Sequence, residues 1–541
     1  MSDGSGDTTT AADPTAPTPE VDQRAEPDDT NTARAKRAEQ IRTEMGGAAK
    51  VAGLHADGQK TIRDHIDSFL DPDTFREIGT FSRSMRHDDR ASTPGDGKIG
   101  GHGLADGRPV AVFGDDITVK RGSSSIVGGR KEQRLYDRAM AMGTPVVHFG
   151  QTGGGRIPDL IGSEGISEAG ELFTMARRRH EIPMATAIVG HSFGGSSFLS
   201  ALSDFVVMTR GSTLAVTSPK VFEIATGEVI SFEDVGGVDV HARTTGQIDL
   251  GVETDTEAYA AIRRWLSYLP SNIHQRAPRA APAGDIGPDP GLVDLVPARR
   301  TRGYDMRRVV ARICDDDSVF ELQPNYARSV TTGMARLDGW SVGFIANNPM
   351  FNAGVLDPQA CHKIIRLTTV CDSFNIPIIW LVDVPGFMVG KRVEHDLMLH
   401  WGMKMMQALQ LASTPTLTVC LRKAFGLAWQ AMNGAGMVNK GLYAWPGSEI
   451  GFMDPDVGVN VAYGTKLDQI TDPEEREAER ARLVAEVGEA TSPYEAAGTM
   501  KIDEIIDPAD TRRILADDLA MLANRPLPPP EARVLASWPT C

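Results

Sequence analysis

Four short loops hold the residues of this chain that could do chemistry. Gln151-Thr152-Gly153-Gly154-Gly155-Arg156 and Gly190-His191-Ser192-Phe193-Gly194-Gly195 lie in the first half. Asp383-Val384-Pro385-Gly386-Phe387 and Lys423-Ala424-Phe425-Gly426-Leu427-Ala428 lie in the second. Glycine lets the backbone take unusual dihedrals and lets a ligand come close, so neighbouring N–H groups can aim at one spot. Two such donors make an oxyanion hole. Any one loop would equally suit a tight turn that merely needs small residues. Four of them at matching places are harder to explain that way.

Other motifs compete for attention. Gly190 to Gly194 fits G-x-S-x-G, the elbow that presents a nucleophilic serine between a strand and a helix, here Ser192. Hydrolysis would then need a later acid and a histidine, for which His241, His274, His362, His395 and His400 are available. Met403-Lys404-Met405 imitates the setting of a biotinylated lysine, which needs an exposed hairpin tip. The period of Glu394 to Leu411 instead predicts a helix, with Leu397, Met398, Trp401, Met405 and Leu409 sharing one face. The run from Pro473 to Val484 reads as a solvated helix with i,i+4 ion pairs. No His, Asp or Glu cluster has metal-ligand spacing, so no metal is expected.

The elements that must position the loops occur twice. Asp106-Gly107-Arg-Pro-Val110 recurs as Asp338-Gly339-Trp-Ser-Val342, 232 residues on. At that displacement Gly122, Lys131, Arg134, Leu135, Pro145, Gly154, Pro183 and Phe193-Gly194 meet identical residues, and 15 of 90 positions agree. Ser192 meets Ala424, which argues against a nucleophile there. Each copy alternates strands (Pro145–Phe149, Ala185–Val189; Ile376–Val382, Thr416–Cys420) with helices (Arg130–Met142, Glu168–Arg179, Ser196–Leu202). That alternation predicts an α/β fold with largely parallel sheet, whose ligands gather beyond the strands' carboxyl ends. Residues 1–31 read as a disordered tail, 32–274 as the first domain, 275–290 as a Pro/Gly-rich linker and 291–541 as the second domain.

Composition narrows the class. With 56 basic against 72 acidic residues the formal charge is −16, which argues against nucleic acid as the main ligand. Five cysteines without zinc spacing, no secretory signal and no long apolar run point to the cytoplasm, with no membrane association.

These residues resemble a known family. Gly58-Gln-Lys-Thr-Ile-Arg-Asp-His, Asp106-Gly-Arg-Pro-Val-Ala-Val-Phe, Gly153-Gly-Gly-Arg, Tyr304-Asp-Met-Arg, Asp383-Val-Pro-Gly-Phe, Arg422-Lys-Ala-Phe-Gly and Ile506-Asp-Pro-Ala-Asp-Thr-Arg are similar to the carboxyltransferase (β) subunits of biotin-dependent acyl-CoA carboxylases. The resemblance runs from about Gly58 to Arg533 and implies tandem duplicated crotonase-like (ClpP/crotonase) β-β-α superhelix domains. It implies transfer of a carboxyl group from carboxybiotin, carried by a partner, to the α-carbon of an acyl-CoA through an enolate. The N-terminal copy would hold the thioester and the C-terminal copy the biotin. Gly153, Gly154 and Gly155 would form the thioester's hole, and Gly426, Leu427 and Ala428 the biotin side. Gly194, Gly195, Gly386 and Phe387 are neighbouring candidates, and Gln430 holds the place that helps select the acyl chain. The implied partners are a biotin carboxylase or biotin carboxyl carrier subunit and further copies of this chain, as a hexamer built as a trimer of dimers. A biotin-linked decarboxylase or transcarboxylase, and a non-catalytic scaffold, are alternatives on the same fold. Two positions depart from the family: Gln151 replaces an acid, and Leu427 replaces a glycine.

Overall fold

Two Asp-Gly turns set the frame. Asp106 and Gly107 have φ of 51° and 75°, and Asp338 and Gly339 have 50° and 75°, the paired positive dihedrals that a two-residue hairpin needs. Asp71 caps the first turn by accepting the Asp106 and Gly107 N–H groups at 3.0 and 2.7 Å. Asp315 does the same for Asp338 and Gly339, both at 2.8 Å.

The computed structural model describes residues 27–168, 175–437 and 440–538. Each hairpin opens a sheet of the same design. The first runs β1 (Arg76–Glu77), β2 (Lys98–Ala105), β3 (Arg108–Asp115), β4 (Val146–Gly150), β5 (Met184–Ile188), β6 (Phe205–Thr209) and β7 (Leu250–Val252), in that order. The second runs β8 (Phe320–Leu322), β9 (Val330–Leu337), β10 (Trp340–Asn347), β11 (Ile378–Val384), β12 (Thr416–Phe425), β13 (Gly441–Ala444) and β14 (Glu504–Ile505), with Glu449–Gly451 pairing β12 beside it. In each sheet the first three strands are antiparallel and the rest parallel. Helices α1 (Ile126–Met142), α2 (Gly195–Leu202) and α3 (Asp255–Tyr268) serve the first copy. Their second-copy neighbours are α4 (Pro358–Ser373), α5 (Met398–Leu411), α6 (Leu427–Ala431) and α7 (Thr511–Leu522).

Equivalent lysines tie each copy together. Lys131 Nζ on α1 donates to the carbonyls of Gly79 and Lys98. Lys363 Nζ on α4 donates to those of Gln323, Tyr326 and Val330. One apolar core runs from copy to copy: Phe205 stacks on Trp265 at 5.3 Å and meets Phe320 at 6.0 Å. Arg533 near the C-terminus is buried across the junction, donating to Ile273 O and Ser373 O at 2.6 and 2.9 Å.

Several expectations need adjustment. Residues 27–31 of the expected tail begin a helix, Pro27–Glu44, and the remainder of that tail lies outside the described residues. Half of the helix expected over Glu168–Arg179, residues 169–174, lies outside them too, while 175–177 are helical. The helix expected from Glu394 is broken at Leu397, which has a left-handed φ of 65° and is exposed, so it leaves the apolar face. Met398, Met405 and Leu409 of that face are buried. Residues 275–290 contain no regular element; Ala280 N–H donates to Gly339 O and Asp289 N–H to Ala509 O.

Candidate functional site

The loops sit where parallel strands end. β4 leads into Gln151–Arg156 and β5 into Gly190–Gly195, and Thr152 N–H donates to His191 O at 2.7 Å, so the two lie side by side. In the second copy the Val384–Ala424 pairing joins the corresponding loops. A bridge between Ser124 and Gly155 is repeated between Leu356 and Phe387, 232 residues on.

Which amides remain available is a matter of counting. Gly153 N–H donates to Arg121 O at 2.9 Å and Gly194 N–H to Val216 O at 3.1 Å; Gly426 N–H donates to Gly451 O at 2.9 Å. These three expected donors are therefore already satisfied, and their glycines serve shape. Gly194 and Gly426 both have φ of 62°, a turn that starts the next helix and that side chains resist. A Cβ on Gly194 would lie 3.7 Å from Gly154 Cα and 4.0 Å from Gly155 N, so the loops nearly touch. Gly154 N–H points at Thr152 Oγ1 over a long 3.3 Å. The N–H groups of Gly155 and Gly195 have no acceptor among the described residues. Neither do those of Phe387 and Leu427, at the same displacement of 232. Gly195 and Leu427 open their helices, where the first amides have no partner within the helix. Ala428 N–H follows on α6. Leu427 sits in that helical turn and not at positive φ, so its backbone accepts a branched residue as easily as glycine.

Buried charge steadies each loop, and sequence reasoning missed it. In the first copy Arg156 donates to Asp96 Oδ1 at 2.6 Å, and Ser125 donates to Asp96 Oδ2 at 2.5 Å. Below it Lys98 lies between Asp115 at 2.8 Å and Glu132 at 2.7 Å. Burial would depress the Lys98 ammonium, but the two carboxylates outweigh it and hold its pKa above the usual lysine value. In the second copy Asp383 takes two contacts from Arg422, both at 2.9 Å, and has Lys423 at 3.6 Å. Arg422 Nη1 also donates to the carbonyls of Pro297, Arg299 and Arg302. Arg156, Asp383, Arg422 and Lys423 all stand in the quoted motifs, and their proximity to the loops was the available signal.

The same comparison explains Gln151. It occupies the position of Asp383, but Gly190 occupies that of Arg422, and a Cβ there would lie 2.7 Å from Gln151 Cγ. An acid at 151 would have no matching cation in that place. Gln430 lies on α6 with Oε1 buried and without a partner among the described residues.

Ser192 is fully buried and donates to Ser196 Oγ at 3.0 Å, and among the described residues no histidine is hydrogen-bonded to it directly. His148 contacts Ser196 at 3.4 Å, and burial first, then Lys98, holds its pKa well below the ordinary value, so it is neutral. Ser192 is therefore not presented as a nucleophile. Lys404 lies within α5, its Nζ 4.8 Å from the Trp401 ring centroid, and not at a hairpin tip.

Beside the first copy's loops an open cleft of about 720 Å³ carries Lys60, Arg121, Arg210 and Lys220. Exposed apolar side chains surround both loop sets at matching places: Ile157 and Val389, Val216 and Phe452, Val221 and Val457. Among the described residues no group of His, Cys, Asp and Glu converges as a metal site, and no helix is long and apolar enough to cross a membrane.

Residues 54–535 match the carboxyl transferase domain family. The chain is 38% identical to the carboxyltransferase subunit of propionyl-CoA carboxylase from Haloferax mediterranei, over 91% of this chain and 95% of that one. It is 36% identical to the methylmalonyl-CoA carboxyltransferase 12S subunit of Propionibacterium freudenreichii subsp. shermanii, over 89% and 92%. A solved transcarboxylase 12S, described as a hexamer assembly with methylmalonyl-coenzyme A bound, superposes with a TM-score of 0.88 at 34% identity, covering 94% of this chain and 98% of that one.

Proposed function

Because the chain belongs to the carboxyl transferase domain family, we propose that it moves a carboxyl group between biotin on a separate protein and the α-carbon of a short-chain acyl-CoA. The observation that carries this reading is the doubled pair of free amides, Gly155 with Gly195 and Phe387 with Leu427. The reaction develops negative charge on two oxygens, and preorganised donors stabilise such charge most where it appears only in the transition state. Gly155 and Gly195 hold the thioester oxygen as the α-carbon becomes an enolate. Phe387 and Leu427, with Ala428 next in line, hold the ureido oxygen. Biotin, when bound, supplies the carboxyl group and a ureido nitrogen that takes the α-proton. No side-chain base is required, in keeping with a buried Ser192.

The cations of the first cleft suit the phosphates of coenzyme A, which supports an acyl-CoA side in 32–274 and a biotin side in 291–541. Relatives named for propionyl-CoA and methylmalonyl-CoA support a short acyl group. Gln430, with its unpartnered Oε1, is placed to select it. The exposed apolar rims of both loop sets support an active site closed by a second chain, with the first copy of one facing the second copy of the other in a hexamer.

The deciding experiment supplies the purified chain with a biotinylated carboxylase subunit, ATP, labelled bicarbonate and acyl-CoAs of increasing length. Label is expected in a short acyl-CoA, with none when the biotinylated subunit is omitted and no biotin on Lys404 by mass spectrometry. Label that never appears, while methylmalonyl-CoA loses its carboxyl group to the biotinylated protein, would show that the chain works only from acyl-CoA to biotin; neither transfer would overturn the reading.

A further inference from the structure

The second sheet has a small cavity at the end away from its glycine loops. β11 and β12 are entered from Pro377 and Pro415, which line it, so it lies at the strands' amino ends. The loops with the free amides follow the carboxyl ends, and the seven residues of β11 put about 20 Å of extended chain between the two. The cavity is therefore separate from the site described above. Its volume is about 60 Å³, and Leu519 and Leu522 of α7 give it an apolar wall.

The polar part of the lining is one-sided. Arg276, Trp340 and Arg525 line the cavity, and no Asp or Glu does. Trp340 Nε1 and Arg525 Nη1 are buried and have no acceptor among the described residues. Indole and guanidinium nitrogens only donate, so neither atom can be satisfied except by an acceptor brought to it. What the two arginines do bond is main chain: Arg525 Nη2 donates to Ser413 O at 2.7 Å, and Arg276 Nη2 donates to Arg525 O. The indole is held in place, with the Arg279 guanidinium 4.4 Å from its ring centroid and Arg279 itself paired to Asp338 at 2.8 Å. A buried donor without an acceptor is costly, and here two of them belong to residues around one apolar cavity.

We propose that this cavity binds a short-chain monocarboxylate, whose oxygens accept from Trp340 Nε1 and Arg525 Nη1 while its alkyl end lies against Leu519 and Leu522. Size sets the chain length. One water needs about 10–15 Å³ of such space, so the cavity takes about four or five heavy atoms, an acetate or a propionate. Phosphate or sulfate would bring more oxygens than the lining can serve, and an apolar wall penalises those left over. A bound acid joins the chain between the copies at Arg276, the β10 hairpin at Trp340 and the segment after α7 at Arg525, so it stabilises the fold. The inference rests on these donors and not on the assigned chemistry, and its test reads binding, so the two fail separately.

Calorimetric titration of the full-length protein with propionate, in chloride of matched ionic strength, is the test. Propionamide keeps the shape without the charge and is expected to bind about tenfold more weakly. Trp340→Phe keeps a ring and removes the N–H, and Arg525→Gln removes the cation. Each is expected to weaken propionate about tenfold and to abolish the rise in thermal midpoint that propionate gives the unaltered chain. Crystals of the unaltered chain soaked in propionate decide the matter should a variant fail to fold, with density expected between Trp340 Nε1 and Arg525. Propionate that binds no better than propionamide, variants that bind it like the unaltered chain, or soaked crystals that show only water in the cavity would each overturn the proposal.

Discussion

The two copies share a backbone and reverse its electrostatics. In the first, the loop itself carries the cation: Arg156 reaches back to Asp96. In the second, the loop carries the acid: Asp383 is held by Arg422 and Lys423 from the end of β12. At position 151 the first copy has a neutral Gln151 facing Gly190, where the second has a full ion pair. A buried charge is costly unless it is paired, so what the fold conserves between copies is a neutralised pair beneath the loop and not a particular residue. The free amides above stay in register because the main chain, not the side chains, repeats.

Breaking the pairs should give the largest effects. Asp383→Ala leaves buried Arg422 and Lys423 without their carboxylate, Arg422 keeping only main-chain carbonyls, and is expected to cost about 3–5 kcal/mol in urea unfolding. Asp96→Ala should cost less, because Arg156 keeps Asp159 at 3.4 Å and the Ser123 carbonyl at 3.3 Å. Equal losses would mean that the copies are steadied alike. Next come the donors. Proline lacks an N–H and is tolerated in the first helical position, so Gly195→Pro and Leu427→Pro each delete one donor with little change of shape. Each is expected to lower kcat by about 10²–10³-fold. Acyl-CoA affinity, measured by calorimetry, should weaken only for Gly195→Pro; a matching loss for Leu427→Pro would remove the division of labour between copies.

A smaller, pH-dependent difference should separate the copies further. His148 of the first sheet is buried and resists protonation, while Trp380 holds its place in the second. Below the ordinary histidine pKa near 6.5 the unfolded chain binds a proton that the native state does not. Native stability therefore falls as pH falls through that region. Hydrogen exchange at pH 5.5 should loosen β4 and β5 more than β11 and β12, and His148→Gln should narrow the difference, the remainder coming from His65, His180 and His241 of the same copy, whose pKa values burial also lowers. Uniform loosening would assign the acid sensitivity elsewhere. The smallest effect is expected at Ser192. Ser192→Ala forfeits one buried hydrogen bond, about 1 kcal/mol, and should leave carboxyl transfer within about threefold. Loss of an esterase activity in that variant would restore the nucleophile that its burial argues against.

Much of the architecture was legible in the order of residues because its causes are local. Asp106-Gly107 and Asp338-Gly339 state their turns through the dihedrals that glycine and aspartate permit. The 232-residue echo announced two equivalent copies, and the motifs carried the family resemblance. What tertiary structure alone decided is which amides are free. Gly153, Gly194 and Gly426 look like donors in sequence, yet Arg121, Val216 and Gly451 bring carbonyls to them from other segments. The pairing of Arg156 with Asp96, 60 residues away, is likewise invisible to spacing. Hydrogen-bond donors are spent on whatever acceptor the folded chain brings within reach, so a local pattern can place a donor but only the assembled fold can leave it free.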